Sequence, residues 1–465
     1  MSDLTCDVAV IGAGTAGMTA ENAARKAGAR TLLIDPAFAG TVCASVGCMP
    51  SKLLIAAARA AHDAARAEIF GIATDPVIDG AAVMRRVRAE RDRFVAGVQN
   101  SLDRLPPDVA IRARAWFEGP TALRLDDGRR VTTRATVIAT GSAPAIPDPY
   151  RDLGDLCLTN RNIFELETLP DSLAVIGAGN VGLELAQAMA RLGVQVTVFD
   201  RGDTLGISRS DEVNEAIRTA LERDLTLRMG TSPEPRREGE RVRLDWGDGQ
   251  SQHFDRVLLA VGRPPQIDGL DLEKTGASLD DKGMPDFSRD TLQIADLPIY
   301  IAGDSNGFRP ILHEASTEGA VAGRNAAHHP DPRSLDRTPH FTITFTDPPV
   351  ASLGEGPGPQ SLSGTADYSD QGRAKVDAVA HGLVQIHADR HGRLIGADLC
   401  APQGDHLAHH LVWAVMDRVT AADFLRRPFY HPTLEEGLKS ALRQICKASE
   451  TEIPADRDLK DPPGS

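Results

Sequence analysis

The sequence predicts an α/β protein of three domains, and three observations support this prediction. The chain has 465 residues, which is too long for one hydrophobic core because a domain usually holds about 100 to 200 residues. Two segments about 165 residues apart both read strand, glycine-rich turn, helix and strand, the order that begins a parallel sheet. The C-terminal part lacks this pattern, so we expect a separate α+β domain there.

The first of these segments begins with the strand CDVAVI at residues 6–11. Gly12, Gly14 and Gly17 then fit the pattern G-x-G-x-x-G, an Ala-rich helix follows, and the strand RTLLID ends at Asp35. Such glycines allow a tight turn and a close approach of the backbone to a pyrophosphate at a helix N-terminus, while the acid accepts ribose hydroxyls. The segment therefore predicts a dinucleotide site.

The second segment, residues 173–200, repeats this order. Its glycines are Gly177, Gly179 and Gly182, and its second strand ends at Asp200. A carboxylate there suits a free ribose 2'-hydroxyl and repels a 2'-phosphate, which favours NAD over NADP. Arg201 and Arg209 leave NADP open, because either arginine could accept a phosphate or be a solvated surface side chain.

Further strands lead into turns that could border these nucleotides. RATVIATGSAPAIPD contains Gly141, RVLLAVGRPPQID contains Gly262, and LPIYIAGDSNG contains Asp304. From these turns and the charged stretch AHHPDPRSLDR we place domain boundaries that divide the chain into residues 1–148, 149–264, 265–335 and 336–465. The end of the chain, ASETEIPADRDLKDPPGS, has the composition of a frayed tail.

Composition and charge describe a globular, acidic chain. Hydrophobic residues make up 42% and charged residues 25%, and the formal net charge is -14. This balance does not attract phosphate backbones or anionic lipid, so nucleic acid and membrane are not expected partners. The N-terminus has no basic segment, and no stretch reaches the roughly 18 uninterrupted apolar residues of a membrane span. We therefore expect a cytoplasmic protein, with an organelle matrix as the alternative compartment.

The six cysteines form one close pair, Cys43 and Cys48, and four scattered residues that we expect to be small and buried: Cys6, Cys157, Cys400 and Cys446. In a regular helix, residues five apart are separated by about 7.5 Å of rise, which is too far for a disulfide. The pair can therefore bridge only if the segment GTVCASVGCMPSK is not a plain helix. Gly47 and Pro50 fit a helix that begins here, and its N-terminus would favour a thiolate.

This segment resembles the redox-active segment of the class I pyridine nucleotide-disulfide oxidoreductases, which include dihydrolipoamide dehydrogenase, glutathione reductase and mercuric reductase. The segments ATGSAP, AVGRPP, YIAGDSNG, LHEASTEGAVAGRNAA, FTDPPVASLGEG and HPTLEE resemble family segments in family order. The resemblance implies two Rossmann-like dinucleotide-binding domains and a C-terminal α+β dimerisation domain, residues 336–465, that builds a homodimer. It places FAD on residues 1–148 and 265–335 and the nicotinamide nucleotide on residues 149–264. The chain departs from the family at Thr41, Val42 and Ser45.

The resemblance also implies a role for each matching residue. Cys43 would meet the substrate, and Cys48 would lie against the flavin ring. Lys52 would lie near the flavin paired with Glu184, and Asp304 would bind the ribityl chain. The glycines after two strands would border nucleotides: Gly141 on the FAD adenylate side, and Gly262 at the nicotinamide nucleotide.

Thiol-disulfide exchange needs a base, because the thiolate is the nucleophile. YHPTLEE supplies His431, and histidine suits this task because its ordinary pKa lies near neutrality. Glu436 is in the family's position for the carboxylate that orients the imidazole, and Glu435 is the alternative. The resemblance implies that His431 of one chain serves the cysteines of the other.

We predict dihydrolipoamide dehydrogenase activity, in which two electrons pass from a dithiol through the disulfide and FAD to NAD. The leucine of HPTL favours this over glutathione reduction, and the single cysteine near the end, Cys446, disfavours mercuric reduction. The substrate would be a small dithiol or a lipoyl group on a carrier protein. The alternatives are an NAD(P)H-dependent disulfide or metal-ion reductase of the same family, a flavoprotein subunit without turnover, and a transhydrogenase or oxidase that uses flavin without a disulfide. No metal site is predicted.

Overall fold

The computed structural model describes residues 3–247 and 249–454. The strands in these ranges are β1 Leu4–Ile11, β2 Thr31–Ile34, β3 Ala110–Ile111, β4 Ala115–Gly119, β5 Ala122–Leu125, β6 Arg130–Ile138, β7 Cys157–Leu158, β8 Ser172–Ile176, β9 Gln195–Phe199, β10 Thr226–Arg228, β11 Glu234–Glu238, β12 Arg241–Trp246, β13 Gln250–Phe254, β14 Arg256–Leu259, β15 Ile299–Ile301, β16 Phe341–Thr344, β17 Val350–Gly354, β18 Leu362–Asp367, β19 Leu383–Ala388 and β20 Leu394–Cys400. The α-helices are α1 Thr15–Lys26, α2 Val42–Ser45, α3 Cys48–Ala65, α4 Gly80–Leu102, α5 Asp148–Arg151, α6 Asn180–Arg191, α7 Asp211–Leu221, α8 Leu312–Ala327, α9 Gly372–Val376, α10 Gly404–Met416, α11 Ala421–Leu425 and α12 Leu438–Ala448.

The chain divides into two compact units. The first comprises Met1–Pro50, Arg86–Ala145 and Gly262–Arg337, and the second comprises Ser51–Arg85, Ile146–Val261 and Thr338–Ser465. The fold class predicted from the sequence, two α/β nucleotide-binding sheets and a C-terminal α+β part, is confirmed by the sheets described below. The domain boundaries placed from the sequence stay a prediction.

The first unit contains a seven-stranded sheet of order β3-β2-β1-β6-β5-β4, with β15 paired to β6. β1 runs parallel to both β2 and β6, as the strand-helix-strand pattern predicted. β1 is buried on both faces, because Val8 and Val10 pack into one hydrophobic cluster and Ala9 and Ile11 into another. Such a strand reads as a continuous apolar run.

Helices α1 and α8 of this unit pack closely because α8 carries glycine at the points of contact. A Cβ added at Gly319 would lie 2.3 Å from the Ala16 carbonyl oxygen, and one at Gly323 would lie 2.0 Å from that of Ala20. The glycines in EGAVAG therefore allow backbone-to-backbone packing that fixes α8 against the first glycine motif.

The second unit contains a parallel sheet of order β10-β9-β8-β14-β7 and a three-stranded antiparallel sheet of order β11-β12-β13. Phe199 and Phe254 pack edge to face in the core that these two sheets share. β8, α6 and β9 form the second strand-helix-strand segment, as predicted. The same unit holds a five-stranded antiparallel sheet of order β16-β17-β20-β19-β18, whose core includes residues of α10 and α12. This sheet with its helices is the α+β part.

The sequence predicted a frayed C-terminal tail and no membrane span. Residues 455–465 of the predicted tail lie outside the described residues, while Ile453 packs against the core of the α+β part. Within the described ranges, the segment Val42–Ala65 is long and apolar enough to pass for a membrane span by length and composition. Those two criteria alone are weak evidence, because core helices meet them as well.

Candidate active site

The first glycine motif has the geometry of a pyrophosphate-binding turn. Gly12 has φ +105°, and a Cβ added to it would lie 2.4 Å from the Ala139 carbonyl oxygen. A Cβ at Gly17 would lie 1.8 Å from the carbonyl oxygen of Gly12, so this glycine lets α1 pack on the turn. A Cβ at Gly14 would meet no atom within 4 Å. Gly14, the residue before α1, therefore faces open space where a phosphate can approach the helix N-terminus.

In the second glycine motif, two glycines again lie against the backbone and one faces open space. Gly177 has φ +107°, and its added Cβ would lie 2.5 Å from the Ala260 carbonyl oxygen. A Cβ at Gly182 would lie 2.0 Å from the Gly177 carbonyl oxygen, and one at Gly179 would meet nothing within 4 Å. Both predicted motifs therefore leave open space for a phosphate at the start of a helix. This helix is α1 in the first unit and α6 in the second.

The two acids that end the second strand of each motif both bind the glycine turn. The Ala13 N–H donates to Asp35 Oδ2 at 2.9 Å, and the Ala178 N–H donates to Asp200 Oδ2 at 2.7 Å. Asp35 Oδ1 accepts from the backbone N–H groups of Ala37 and Phe38. These carboxylates therefore hold the turn in place, in addition to the ribose contact expected from the sequence.

Of the two arginines that left NADP open, Arg209 is hydrogen-bonded within the second unit, although its side chain is 34% exposed. Its guanidinium donates to the Leu353 and Gly354 carbonyl oxygens at 2.9 and 2.7 Å and to Asp398 at 3.2 Å. The Arg209 guanidinium is therefore held by carbonyl groups of the C-terminal sheet, while the residue keeps a partly solvated position at the surface. Arg201, next to Asp200, is exposed.

Both clustered cysteines line one cavity of the first unit, with a volume of about 130 Å³. The same cavity is lined by Gly14, Gly141 and Asp304, three other residues predicted for the FAD site. Cys43 is half-buried and Cys48 is exposed. The structure therefore brings the thiols, the pyrophosphate turn and the predicted ribityl residue to a single site.

The segment between the cysteines is not a plain helix, as predicted. α2 ends at Ser45, α3 begins at Cys48, and Gly47 stands between them. A Cβ on Gly47 would lie 2.9 Å from the Val42 carbonyl oxygen, so a side chain there would force the two helices apart.

The residues that depart from the family pattern, Thr41, Val42 and Ser45, lie in α2 or directly before it. The Thr41 hydroxyl caps this helix by accepting from the Ala44 N–H at 3.2 Å, and the Ser45 hydroxyl donates to the Thr41 carbonyl oxygen at 2.9 Å. Val42 is the first residue of α2 and is exposed. Thr41 and Ser45 thus stabilise the turn that presents Cys43.

Asp304 is held by two residues that were not predicted as site residues. The Ser142 hydroxyl donates to Asp304 Oδ2 at 2.7 Å, and Arg263 Nη2 lies 3.3 Å from the same oxygen. Each follows directly after a predicted nucleotide-bordering glycine, Ser142 after Gly141 and Arg263 after Gly262. That position could have indicated them in the sequence.

A buried hydroxyl supports the fit of a nucleotide to this site. Among the residues that the structure describes, the Thr140 hydroxyl is one of two buried side-chain polar atoms without a hydrogen-bond partner. Buried polar atoms normally have a partner, so a hydroxyl group beside Gly141 suits a ligand contact. With the open space at Gly14 and the Asp304 carboxylate, the residues present fit FAD.

Lys52 and Glu184 form the predicted pair. Lys52 Nζ lies 2.7 Å from Glu184 Oε2, and Glu184 is 8% exposed. The Phe345 N–H donates to the other carboxylate oxygen at 2.9 Å, and the Phe345 ring centroid lies 4.3 Å from Lys52 Nζ. Farther along α6, Gln187 holds the backbone of Asp347 through two hydrogen bonds. Phe345 is thus a further residue that fixes the lysine.

His431 is paired with Glu436, the favoured carboxylate of the two candidates. The imidazole Nδ1 lies 3.0 Å from Glu436 Oε2, and the Thr433 N–H donates to the same oxygen at 3.1 Å. The His431 side chain is 64% exposed, and that of Glu436 is 12% exposed. Both residues line a cavity of about 320 Å³ in the second unit. A largely shielded carboxylate thus orients an accessible imidazole.

The four scattered cysteines are buried, as predicted. Burial raises the pKa of the Cys157 thiol to about 11 and also raises the pKa values of Cys6, Cys400 and Cys446. A thiol with a raised pKa is a poor nucleophile at neutral pH. These residues are therefore structural. Within residues 3–247 and 249–454, no group of three or more histidine, cysteine or acidic side chains could hold a metal ion.

Comparison with known proteins identifies the family. Residues 6–320 match the pyridine nucleotide-disulphide oxidoreductase family, and residues 340–442 match the dimerisation domain of the pyridine nucleotide-disulphide oxidoreductases. The dihydrolipoyl dehydrogenase of Haloferax volcanii is 32% identical over 94% of this chain and 95% of its own. The mercuric reductase of Acidithiobacillus ferrooxidans is also 32% identical, over 95% of this chain and 82% of its own. The chain therefore belongs to the pyridine nucleotide-disulfide oxidoreductases.

A solved structure shows the same fold. The HOCl-induced flavoprotein disulfide reductase RclA from Escherichia coli, in its Cu(II) complex, superposes with a TM-score of 0.82 at 21% identity over 95% of this chain and 99% of that one. By its family the chain is a FAD-dependent and NAD(P)-dependent disulfide oxidoreductase with a dimerisation domain, which supports the predicted homodimer. When bound, FAD supplies two-electron chemistry between a thiol pair and a nicotinamide.

Proposed function

We propose that the protein is a dihydrolipoamide dehydrogenase, which oxidises a dihydrolipoyl group and reduces NAD. The observation that carries this proposal is the cavity that Cys43 and Cys48 share with the Gly14 turn and Asp304. A thiol pair beside a FAD site gives electrons from a dithiol a direct route into the cofactor. The dihydrolipoyl dehydrogenases among the relatives support this choice, at about 30% identity.

The two thiols have different tasks in this proposal. Cys43 is the thiol that a substrate thiolate meets, and Cys48 is the thiol next to the flavin. Cys48 is the first residue of α3, where the positive end of the helix dipole favours a thiolate. Lys52 follows four residues later on the same helix, where Glu184 and Phe345 hold its ammonium group, and its role near the flavin stays a prediction.

His431 is the proposed base that makes the substrate dithiol a thiolate. Glu436 binds Nδ1, so Nε2 is the ring nitrogen left to exchange the proton. The imidazole is exposed, and the family's dimerisation domain brings two chains together. We propose that His431 of one chain serves the cysteines of its partner, so that an isolated chain is nearly inactive.

The cofactor proposed for the second unit is NAD. Asp200 places a carboxylate at the glycine turn, and a negative charge there disfavours a 2'-phosphate. Arg209 would have to leave the Leu353 and Gly354 carbonyl oxygens to bind such a phosphate. The FAD site would be built by residues 1–148 and 265–335, and the NAD site by residues 149–264. We propose a cytoplasmic homodimer whose substrate is free dihydrolipoamide or a lipoyl group on a carrier protein.

Reduction of a metal ion is a second candidate, since mercuric reductases are among the relatives of 32% identity. Cys446 does not support it, because this thiol is fully buried in the core of the α+β part. A flavoprotein subunit without turnover is less well supported, because it would not need the exposed His431 and its carboxylate partner Glu436.

The test compares electron donors and acceptors on the purified dimer. Rates are measured for NAD reduction by dihydrolipoamide, and for oxidation of NADH and NADPH by glutathione disulfide and by mercuric ion. We expect dihydrolipoamide with NAD to be the fastest combination by at least tenfold. Slow or no NAD reduction, together with rapid oxidation of NADPH by mercuric ion or glutathione disulfide, would contradict the proposal.

A further inference from the structure

The chain leaves the first unit after Ala145 and returns to it at Gly262, and these two crossing segments are paired with each other. The Ala145 N–H donates to the Gly262 carbonyl oxygen at 3.0 Å, and the Gln266 N–H donates to the Gly141 carbonyl oxygen at 2.8 Å. Ser142 and Pro265 form an antiparallel bridge between these bonds. Residues 141–145 and 262–266 thus form a short two-stranded crossing ribbon.

One side chain from each strand of the crossing ribbon reaches the same carboxylate. The Ser142 hydroxyl donates to Asp304 Oδ2 at 2.7 Å, and Arg263 Nη2 lies 3.3 Å from this oxygen. Arg263 Nε also donates to the Ser142 hydroxyl at 3.2 Å, which closes a three-membered network. Ser142 is 6% exposed, and the Arg263 and Asp304 side chains are 26% and 21% exposed. The network is thus largely shielded from water, so it is stronger than a surface ion pair.

The backbone of the Asp304 turn is fixed separately. The buried Glu318 carboxylate accepts the Gly303 N–H at 2.8 Å and an Asn306 amide hydrogen at 2.6 Å. Gly303 has φ +71°, a conformation that this acceptor helps to hold. Arg263 is therefore not needed to shape the turn, and its contact acts on the orientation of the Asp304 carboxylate.

We propose that Arg263 is a positioning residue that fixes Asp304 for the flavin side chain and ties it to the crossing ribbon. Among the residues that the structure describes, both side-chain donors reach Oδ2, so Oδ1 keeps its lone pairs for a ligand hydroxyl. This inference rests on the proposed role of Asp304 in FAD binding. In this proposal, the protein retains FAD tightly because residues 141–145 pair with residues 262–266 in the crossing ribbon.

The test measures the dissociation constant of FAD from the deflavinated dimer by flavin fluorescence. Arg263→Met should weaken FAD binding roughly tenfold, since it removes a charge-assisted contact to a shielded carboxylate. Arg263→Lys keeps the charge and should recover part of this loss, to within about threefold of the parent protein. Asp304→Asn should weaken FAD binding at least as much as Arg263→Met. The FAD-free form of each variant should still melt in one cooperative transition, which separates a loss of FAD affinity from unfolding.

A matched control is Arg237→Met, which removes another partly exposed arginine that contacts a carboxylate, Asp155, and a carbonyl group. Its FAD affinity should stay within twofold of the parent. Unchanged FAD affinity in Arg263→Met, with a loss in Asp304→Asn, would overturn the inference. Unchanged affinity in Asp304→Asn would overturn the role of Asp304 as well. Neither outcome bears on which dithiol is oxidised, because no substrate is present in this measurement.

Discussion

The His431 imidazole Nδ1 lies 3.0 Å from Glu436 Oε2, although the carboxylate is nearly buried and the imidazole is exposed. This contact decides between the two glutamates of YHPTLEE, because Glu436 is the one that binds the ring. It also fixes which nitrogen of His431 can exchange a proton with a substrate thiol.

We expect Glu436→Gln to lower kcat for dihydrolipoamide oxidation by roughly a hundredfold, because an amide cannot stabilise the charged imidazole as a carboxylate does. KM should change by less than about threefold, since the contact orients the base and does not bind substrate. Steady-state rates measure both constants. The control is Glu435→Gln, which should keep more than half of the activity. Equal losses in the two variants would contradict the assignment.

Alkylation should distinguish the two reactive thiols from the other four. After reduction with NADH at pH 8, iodoacetamide should label Cys43 first, because Cys48 is next to the flavin in the proposed site. The buried thiols should stay unlabelled, since burial raises the pKa of Cys157 to about 11 and raises that of Cys446. Peptide mass spectrometry identifies the labelled sites, and labelling of all six cysteines in guanidinium is the control. Rapid labelling of Cys446 in the folded protein would be inconsistent with this account.

Asp398 should stabilise the second unit in a manner that depends on pH. Burial opposes its charge, but hydrogen bonds from His387 and Ser352 and the charge of Arg209 more than offset burial and lower the pKa of Asp398. A carboxyl group with a lowered pKa in the folded state stabilises the fold fully above its unfolded pKa of about 3.9. This contribution is lost as the pH falls through the folded value.

We therefore expect Asp398→Asn to lower the free energy of unfolding by about 3 kcal/mol at pH 7, because it removes the buried carboxylate that Arg209, His387 and Ser352 contact. The difference between parent and variant should shrink below about pH 4. Urea unfolding at several pH values measures this difference. The control Asp417→Asn, at an exposed position after α10, should change stability by less than about 0.5 kcal/mol. A constant difference from pH 3 to pH 7 would refute the ionic role of Asp398.

Arg209→Met should reduce stability without changing the choice of nucleotide. Its guanidinium holds carbonyl groups of the C-terminal sheet, so the ratio of kcat/KM for NADH to that for NADPH should stay within about twofold of the parent value. Arg201→Met is the comparison, because Arg201 is the exposed arginine beside Asp200. A tenfold change of the ratio in Arg209→Met would show that this residue contacts the nucleotide.

Much of the fold could be predicted because its signals are local. The strands around Gly12 and Gly177 are short apolar runs, and each glycine has a backbone position that only glycine fits. The break between α2 and α3 could be predicted from Gly47 and Pro50, since two thiols five residues apart cannot meet on one helix. These inferences need no knowledge of distant contacts.

The contacts that were missed join residues far apart in the chain. Phe345 meets Lys52 and Glu184, and Arg209 meets Asp398, and no periodicity relates these positions. Ser142 and Arg263 share Asp304 only because their two segments pair as a crossing ribbon. Nothing in the neighbouring sequence marks these side chains as partners of one another, because their contacts are set by the tertiary fold.

The most direct test of the disulfide relay is an anaerobic titration of the purified dimer with NADH. The account predicts a long-wavelength absorption band from a Cys48 thiolate against the flavin, present in the parent protein and in Cys43→Ser and missing in Cys48→Ser. A parent protein without this band, or a Cys48→Ser variant that keeps it, would contradict the central claim that the cysteine pair passes electrons to FAD.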